Sequence, residues 1–114
     1  MGKLDVRLGK IEKVNFGIDG YQGSCLGLFV TISCGSICVM NNKSMWDYNL
    51  VEYTEDCKWT EDDRDKEAID IMKYISNLLQ DAKVLTVDEL KGIPIEATFD
   101  GMILKSWRIL TEVL

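Results

Sequence analysis

The chain has 114 residues, of which 46% are hydrophobic and 28% charged, the composition of an ordinary soluble globular protein. A chain of this length suits one core, so we expect residues 1–114 to form a single domain. The formal net charge of −6 provides no overall basic surface, which argues against long nucleic acid as a partner.

The N-terminal residues carry charges throughout and lack the apolar segment of a signal peptide. The longest apolar run, residues 26–30, is far too short to cross a bilayer. The Met-Gly start also lacks the Ser or Thr that myristoylation favours. We therefore expect a cytoplasmic protein that does not bind membranes.

Apolar residues alternate along the first part of the chain and predict strands. The alternating set comprises Leu4, Val6, Leu8, Val14, Phe16 and Ile18. Gly9 interrupts this set, which predicts one long bent strand, or two short strands with a bulge near Gly9. Residues 19–23 predict a turn, and residues 24–33 predict a second strand that forms a hairpin with the first. Gly35 and Ser36 end it, and residues 37–40 are a candidate third strand.

Residues 41–58 are the least regular stretch, and we interpret them as a polar loop with scattered aromatic residues. A short piece at residues 50–53 is a candidate for pairing on a sheet edge. Irregular connections of this length are uncommon inside a compact domain and are often functional.

A long helix follows. Thr60 is the predicted N-cap, Asp63 occupies the reciprocal position of a capping box, and residues 61–63 place negative charge in the first turn. Apolar residues then recur at three- and four-residue steps, namely at Ala68, Ile71, Met72, Ile75, Leu78, Leu79 and Ala82. This single stripe predicts an amphipathic helix that covers one face of a sheet.

The C-terminal third predicts a short turn and a hairpin. Thr86 is the candidate cap of the turn, with Glu89 reaching back to it, and Gly92 ends the turn. A strand starts at Pro94, and Asp100-Gly101 favours a tight turn into a return strand at residues 102–113. The predicted class is α+β: an antiparallel β-sheet with one long amphipathic helix and a C-terminal β-hairpin.

The sequence contains no catalytic constellation that we recognise. It has no histidine, the commonest general base near neutral pH. Residues 62–65 are rich in aspartate, but an acidic first helical turn explains them better than a metal site. The cysteines are expected to be thiols rather than zinc ligands, and they are Cys25, Cys34, Cys38 and Cys57. We predict no cofactor, no metal and no enzymatic activity.

Two groups of residues are candidates for binding. Trp46 and Tyr48 offer faces on which a flat base stacks, although the same rings would also close a sheet edge or a dimer contact. On the last strand, alternation puts Lys105 with Trp107 on one face and Arg108 on the other. The alternative there is that Trp107 lies in the core and that Arg108 pairs with a carboxylate such as Glu96.

Four segments resemble a recurrent family of short phage and prophage proteins. These segments are residues 57–64 (CKWTEDDR), 78–84 (LLQDAKV), 90–96 (LKGIPIE) and 104–110 (LKSWRIL). The resemblance covers the chain from about residue 11 onward and implies a phage accessory protein. Family members often carry a Gly/Trp-rich strand where this chain has residues 36–39 (SICV), so no role tied to that strand is carried over.

The order of elements is also similar to that of the phage Thoeris anti-defence sponges, small oligomers that sequester a cyclic ADP-ribose signal without cleaving it. This similarity implies a homo-oligomer that binds a small cyclic nucleotide in the host cytoplasm. In that hypothesis Trp46 and Tyr48 stack on the base, and Arg64, Lys105 and Arg108 neutralise phosphate. The alternative is a protein-interaction module that inhibits a host or defence protein through its acidic surface. A metal-dependent enzyme that uses Asp62 or Glu96 is a third hypothesis.

Overall fold

The structure is a computed structural model that describes residues 3–114. Five strands and one long helix make up its regular elements: β1 (Leu4–Asp19), β2 (Cys25–Cys34), β3 (Ile37–Trp46), α1 (Glu61–Ala82), β4 (Pro94–Asp100) and β5 (Ile103–Ile109). Short 3-10 turns lie at Tyr21–Gly23, Val87–Leu90 and Thr111–Val113. The strands form one antiparallel sheet in the order β3-β2-β1-β4-β5. The predicted α+β class, with its long helix and C-terminal hairpin, is confirmed.

Strand β1 is long enough to pair with strands of both halves of the sheet. Its C-terminal half pairs with β2, from Lys10 opposite Ser33 onward, and its N-terminal half pairs with β4. Of the two predicted alternatives, the structure has one long strand, and its register shifts between Ile11 and Lys13, shortly after Gly9. Gly9 is needed for another reason: a Cβ there would collide with the Ser33 carbonyl oxygen, because β2 crosses over β1 at this point.

The sheet is strongly curled. Trp107 of β5 donates its indole N–H to Asn41 of β3 across 3.0 Å, although β3 and β5 are the two outer strands of the sheet. The two halves therefore face each other over a shared core. The fully buried side chains of that core are Ile11, Leu28, Val30, Ile32, Ile95 and Phe99. Leu78 and Ala82 of α1, with Leu90, pack against the same core.

The start of α1 forms as the sequence predicts. The Thr60 hydroxyl accepts a hydrogen bond from the Asp63 N–H at 3.1 Å, and the Asp63 carboxylate accepts one from the Thr60 N–H at 2.8 Å. These bonds lower the pKa of Asp63. The helix ends at Lys83, which adopts the left-handed conformation with φ of 58°. Ile71 is buried on the apolar stripe, while Met72 lies at its edge.

The region from residue 41 to residue 58 differs from the prediction. Residues 41–46 continue β3 instead of beginning a loop, with Asn41 opposite Val30 and Trp46 opposite Cys25. Pairing with the buried strand β2 outweighs the polar local sequence, as tertiary context commonly does for strands. The predicted edge pairing at residues 50–53 is wrong, because this piece follows a turn closed by the Val51 N–H bonding to the Asp47 carbonyl.

Three details of the C-terminal third also differ. The Thr86 side chain makes no capping bond, and Glu89 accepts from the Leu85 N–H at 3.1 Å instead. Asp100 still belongs to β4 and pairs with Ile103, so the two turn residues are Gly101 and Met102 instead of Asp100 and Gly101. The return strand ends at Ile109 and is followed by the 3-10 turn at Thr111–Val113. Gly92 and Gly101 both have positive φ, as the predicted turn end and tight hairpin require.

A register shift on β5 changes which residues share a face. It falls between Thr98 and Phe99 of β4 and leaves Lys105 without a directly opposite partner. Leu104 is opposite Phe99 and Trp107 is opposite Ala97, so Leu104, not Lys105, shares the inner face with Trp107. The predicted simple alternation along this strand is therefore wrong at Lys105.

Candidate functional site

The segment between β3 and α1 wraps around one buried arginine. Arg64 lies in the first turn of α1 and is only 5% exposed. Its Nη1 donates to the carbonyl oxygen of Val51 at 2.7 Å and to that of Asp47 at 3.2 Å. Two carbonyls of the irregular segment are thus satisfied by one side chain, which fixes the path of the segment against the helix.

Two aromatic rings enclose the guanidinium group. Its central carbon lies 4.7 Å from the ring centre of Tyr48 and 4.8 Å from that of Trp59, both within the range of cation–π attraction. The Tyr48 hydroxyl donates to Asp65 at 2.7 Å, which raises the pKa of Tyr48. Trp59 in turn meets Tyr53 edge to face, with 5.7 Å between ring centres. We call Arg64, Tyr48 and Trp59 the Arg64 cluster.

One atom of this cluster has no partner. Among the described residues, Arg64 Nε is the buried side-chain nitrogen or oxygen that lacks a hydrogen bond. A sealed donor of this kind costs free energy, on the order of 1–3 kcal/mol, unless something accepts from it. Native proteins leave few such atoms unpaired, and those they leave often lie at functional sites.

Arg64 also lines a cavity between the β2–β3 ladder and the first two turns of α1. The cavity has a volume of about 280 Å³ and is lined by Cys25, Ser44, Met45, Trp46, Trp59, Asp63, Arg64 and Glu67. We call it the tryptophan cavity. Trp46 meets Tyr21 edge to face at 6.3 Å, which fixes one indole in the wall. The lining carries two carboxylates against one guanidinium, so its net charge is negative.

A second depression lies on the other side of Met45. This apolar groove has a volume of about 220 Å³ and is lined by Phe16, Leu26, Gly27, Met45, Tyr48, Ala68, Ile71 and Met72. Gly27 is required there, because a Cβ would collide with the backbone of Lys43 and Ser44. Phe16 and Met72 are about half-exposed, at 46% and 53%, so the groove opens to solvent.

The structure brings three of the five sequence-predicted residues together. Trp46 and Arg64 line the tryptophan cavity, and Tyr48 stacks on Arg64 from the side of the apolar groove. Lys105 and Arg108 lie on β5 and line neither space. The predicted phosphate clamp of Arg64, Lys105 and Arg108 is therefore not assembled within one chain.

Arg108 is held by carboxylates instead. It donates to Glu96 at 3.1 Å and forms two bonds to Glu112, the shorter at 2.7 Å. Glu112 and Glu96 raise the pKa of Arg108, and Arg108 lowers the pKa of Glu112 to about 2. This is the alternative that the sequence left open for Arg108. Trp107 is likewise packed against the core.

Three residues that give the cavity wall its aromatic and acidic character were not among the predicted binding residues. Trp59, which directly follows residues 41–58, was not selected, and Asp63 was assigned to the capping box alone. Glu67 was not considered. The spacing of Asp63 and Glu67 does carry a signal, because residues four apart lie on the same face of a helix. The neighbouring strand could not be inferred, since residues 41–46 read as a loop.

Other reactive groups lie apart from these sites. The four cysteines are free thiols in the structure, and burial raises the pKa of the Cys34 thiol. Within residues 3–114, no three His, Cys, Asp or Glu side chains are grouped as ligands for a metal ion. Over the same residues, α1 included, no helix combines the length and apolar character needed to traverse a bilayer.

Comparisons of the chain with known protein families, with curated proteins and with solved structures give no match. The two spaces beside α1 are therefore the features of the molecule that bear on its function.

Proposed function

We propose that this chain is a non-enzymatic binding protein and that the tryptophan cavity holds a small ligand with a flat ring. The observation that carries the proposal is that two indoles and two carboxylates line one 280 Å³ space. Indole rings pack against flat rings in stacked or edge-to-face arrangements, and the indole face also attracts cationic rings. Asp63 and Glu67 provide acceptors for the amino groups of such a ring.

Arg64 positions the wall of the cavity, and its Nε is left without a partner among residues 3–114. Its Nη1 donates to backbone carbonyls of residues 47 and 51, and its central carbon lies over the rings of Tyr48 and Trp59. Arg64 Nε has no partner within the described part of the chain but is shielded from solvent, so it donates to a ring nitrogen or carbonyl oxygen of the ligand only if the surrounding side chains shift. A nucleobase has this pattern of amino donors and ring acceptors on its edge.

A phosphate group matches the cavity wall poorly. Two carboxylates repel it, and the single guanidinium is enclosed. We therefore propose that a nucleotide enters with its base first and that its phosphate faces solvent. Lys58, which directly precedes Trp59 and is exposed, is then the cation closest in sequence to the cavity wall.

The resemblance to phage proteins adds a biological role to this proposal. In the host cytoplasm, such a protein would act as a counter-defence sponge that sequesters a small cyclic nucleotide signal and leaves it intact. A homo-oligomer in which a neighbouring subunit closes the open side of the cavity fits the same picture. No cofactor and no long nucleic acid take part in this function.

Isothermal titration calorimetry tests the proposal. Titrants are cyclic mono- and dinucleotides, cyclic ADP-ribose isomers and the free base adenine, with the ligand recovered after heat denaturation. We expect saturable binding near one ligand per chain and recovery of an unchanged compound. Absence of binding across this panel would contradict the nucleotide proposal, and a converted compound would show that the chain is an enzyme.

A matched pair of variants locates the site. Glu67→Gln removes the charge from the cavity wall, whereas Glu61→Gln makes the same change at a residue of α1 that does not line the cavity. Loss of a hydrogen bond to a charged acceptor should weaken binding about tenfold for Glu67→Gln. Binding by the Glu61→Gln variant should stay within about twofold of the parent. Equal effects of the two changes would place the ligand elsewhere.

The apolar groove favours a second function, that of a protein-interaction module. Phe16 and Met72 leave apolar surface open to solvent, and Asp65 adds a carboxylate beside Tyr48. A partner segment with apolar side chains and basic flanks would match this surface. The acidic net charge of −6 would assist its approach to a basic host enzyme.

Affinity capture from infected host lysate separates the two functions. An interaction module should retain one partner in stoichiometric amount and should lose it when Met72→Lys places a charge in the groove. A nucleotide sponge should retain no stoichiometric protein, and its ligand binding should survive Met72→Lys.

A further inference from the structure

The N-terminal half of β1 has one unpaired edge. Strand β4 pairs along it from Leu4 opposite Asp100 to Lys10 opposite Pro94. On the other side the ladder with β2 stops at Lys10, because β2 crosses over Gly9 and turns away. Among residues 3–114, no backbone group pairs with residues 4–9 on that side. These residues therefore present a row of free backbone donors and acceptors to a further strand.

The outer row of side chains on this edge is apolar. Leu4, Val6 and Leu8 all point to the outer face and are 63%, 57% and 67% exposed. Natural sheets usually blunt an open edge with charged side chains, inward-pointing charges included, or with a proline, a bulge or a very short strand. The charges of this edge, Asp5 and Arg7, have opposite signs, so they can pair with those of a second strand instead of repelling it. An apolar row on an unpaired edge instead indicates that another strand adds there.

The order of residues shows which strand fits. Reading from Leu4 to Leu8, the sequence is Leu-Asp-Val-Arg-Leu, with an acid and a base placed symmetrically about Val6. If a second copy pairs antiparallel about a twofold axis through Val6, Asp5 lies opposite Arg7 of that copy. Both such pairs carry opposite charge, and each Leu4 then meets Leu8 of the other copy.

Neighbouring registers are disfavoured by charge. A register shift of two residues keeps each side chain on the same face and moves the twofold axis to Asp5 or to Arg7. Either slip places two like charges directly opposite each other, which is destabilising. A slip that does not keep the faces matched would set the outer apolar row against the charged inner row. Of these registers, only the one with the axis through Val6 pairs opposite charges and keeps the apolar residues of both chains on the same face.

We propose that two copies of this chain form a homodimer by antiparallel pairing of residues 4–8 about a twofold axis at Val6. The dimer would join two five-stranded sheets into one continuous sheet. A seam of this length lies at the small end of specific interfaces, near or below about 1,200 Å², so we expect a concentration-dependent dimer with a dissociation constant on the order of micromolar.

This contact is independent of the proposed ligand site. The tryptophan cavity lies at the opposite end of β1, where Asp19 pairs with Cys25. The dimer therefore leaves both cavities open, and it does not provide the subunit wall that a closed cavity would need.

Sedimentation over a range of about 1–300 µM tests the dimer. We expect the parent chain to change from monomer to dimer across this range. Asp5→Arg and Arg7→Asp should each weaken association at least tenfold, because each variant sets like charges across the seam. An equimolar mixture of these two variants should dimerise again, because the two basic residues of one chain then face the two acidic residues of the other.

The mixture distinguishes the loss of a charge pair between two chains from the loss of a charge pair within one chain. Asp5 and Arg7 also form an ion pair within each protomer at 2.8 Å, which either reversal breaks and mixing cannot restore. Val6→Lys should abolish the dimer, and Leu85→Lys, a similar change at an 89% exposed site, should leave it intact. A parent chain that stays monomeric over the whole range, or a dimer that ignores both charge reversals, would overturn the proposal.

Discussion

Two arginines of this chain occupy opposite kinds of environment. Arg64 is buried in the first turn of α1, between two aromatic rings, with backbone carbonyls as its acceptors. Arg108 lies on the exposed face of β5 and meets two carboxylates, Glu96 and Glu112. Both carry one positive charge, yet one organises an irregular segment of chain and the other joins neighbours on the surface.

Desolvation decides how much each of these charges contributes to the stability of the fold. Solvent screens the ion pairs of Arg108, and exposed pairs of this kind stabilise a protein very little. The bonds of Arg64 are shielded from water, so removing the side chain leaves two carbonyls and two ring faces without a partner. The arginine that lacks a carboxylate partner is therefore expected to matter more for stability.

Arg64→Ala should have the largest effect. We expect it to lower the free energy of unfolding by about 3 kcal/mol, because the carbonyls of Asp47 and Val51 lose their buried donor. Urea unfolding measures the loss, and near-ultraviolet circular dichroism should report disordering of the tryptophans. Arg64→Lys should recover only part of the loss, because an ammonium cannot stack flat between Tyr48 and Trp59. A loss below about 0.5 kcal/mol would contradict the assigned role.

Trp59→Leu should have the next largest effect. It keeps an apolar side chain but removes one face of the sandwich around Arg64 and the contact with Tyr53, for a loss of about 1–2 kcal/mol. Chemical denaturation gives the value. If Trp59→Leu and Arg64→Ala act through the same contact, the double variant should lose less than the sum of the two losses. Strict additivity would contradict the sandwich.

Thr60→Ala should cost about 1 kcal/mol, because it removes one half of the capping box that starts α1. Thermal unfolding at neutral pH measures the change. Thr86→Ala is the matched control, since the Thr86 side chain makes no capping bond. Equal losses for the two threonines would contradict the capping geometry at Thr60.

Arg108→Ala should have the smallest effect, and that effect should depend on pH. The pKa of Glu112 is lowered from 4.5 to about 2 in the folded chain. Because the pKa of Glu112 is lower in the folded chain, its ion pair stabilises the fold at pH values above the pKa of the unfolded chain. This stabilisation is lost as the pH falls through the pKa of the folded chain. Variant and parent should differ slightly in melting temperature at pH 7, and the difference should shrink as the pH falls from 4.5 to about 2. A difference that grows on acidification would contradict the ion pairs.

The sequence predicts the parts of this fold that are determined locally. The capping box at Thr60 and the turn at Gly101 depend on neighbouring residues, and both are confirmed. The extension of β3 through residues 41–46 depends on pairing with a distant buried strand, so a polar local sequence gave the wrong answer. The bulge that displaces Lys105 likewise depends on tertiary pairing with β4.

The candidate site is predictable to a similar extent. Trp46, Tyr48 and Arg64 were selected by residue type, and the structure brings these three together. The sequence could not tell that Arg64 is enclosed, because its acceptors are carbonyls thirteen and seventeen residues earlier in the chain. Carbonyl acceptors leave no signature in side-chain composition, whereas the carboxylate partner Glu96 of Arg108 was recognisable.

Nuclear magnetic resonance of the arginine side chains tests the enclosure of Arg64 most directly, since the chain contains only three arginines. The Nε–H proton of Arg64 should be shifted upfield by the two rings and should exchange slowly with water. The corresponding protons of Arg7 and Arg108 should show ordinary shifts and faster exchange. Three arginine signals with similar shifts and similar exchange rates would contradict the Arg64 cluster and the cavity wall it supports.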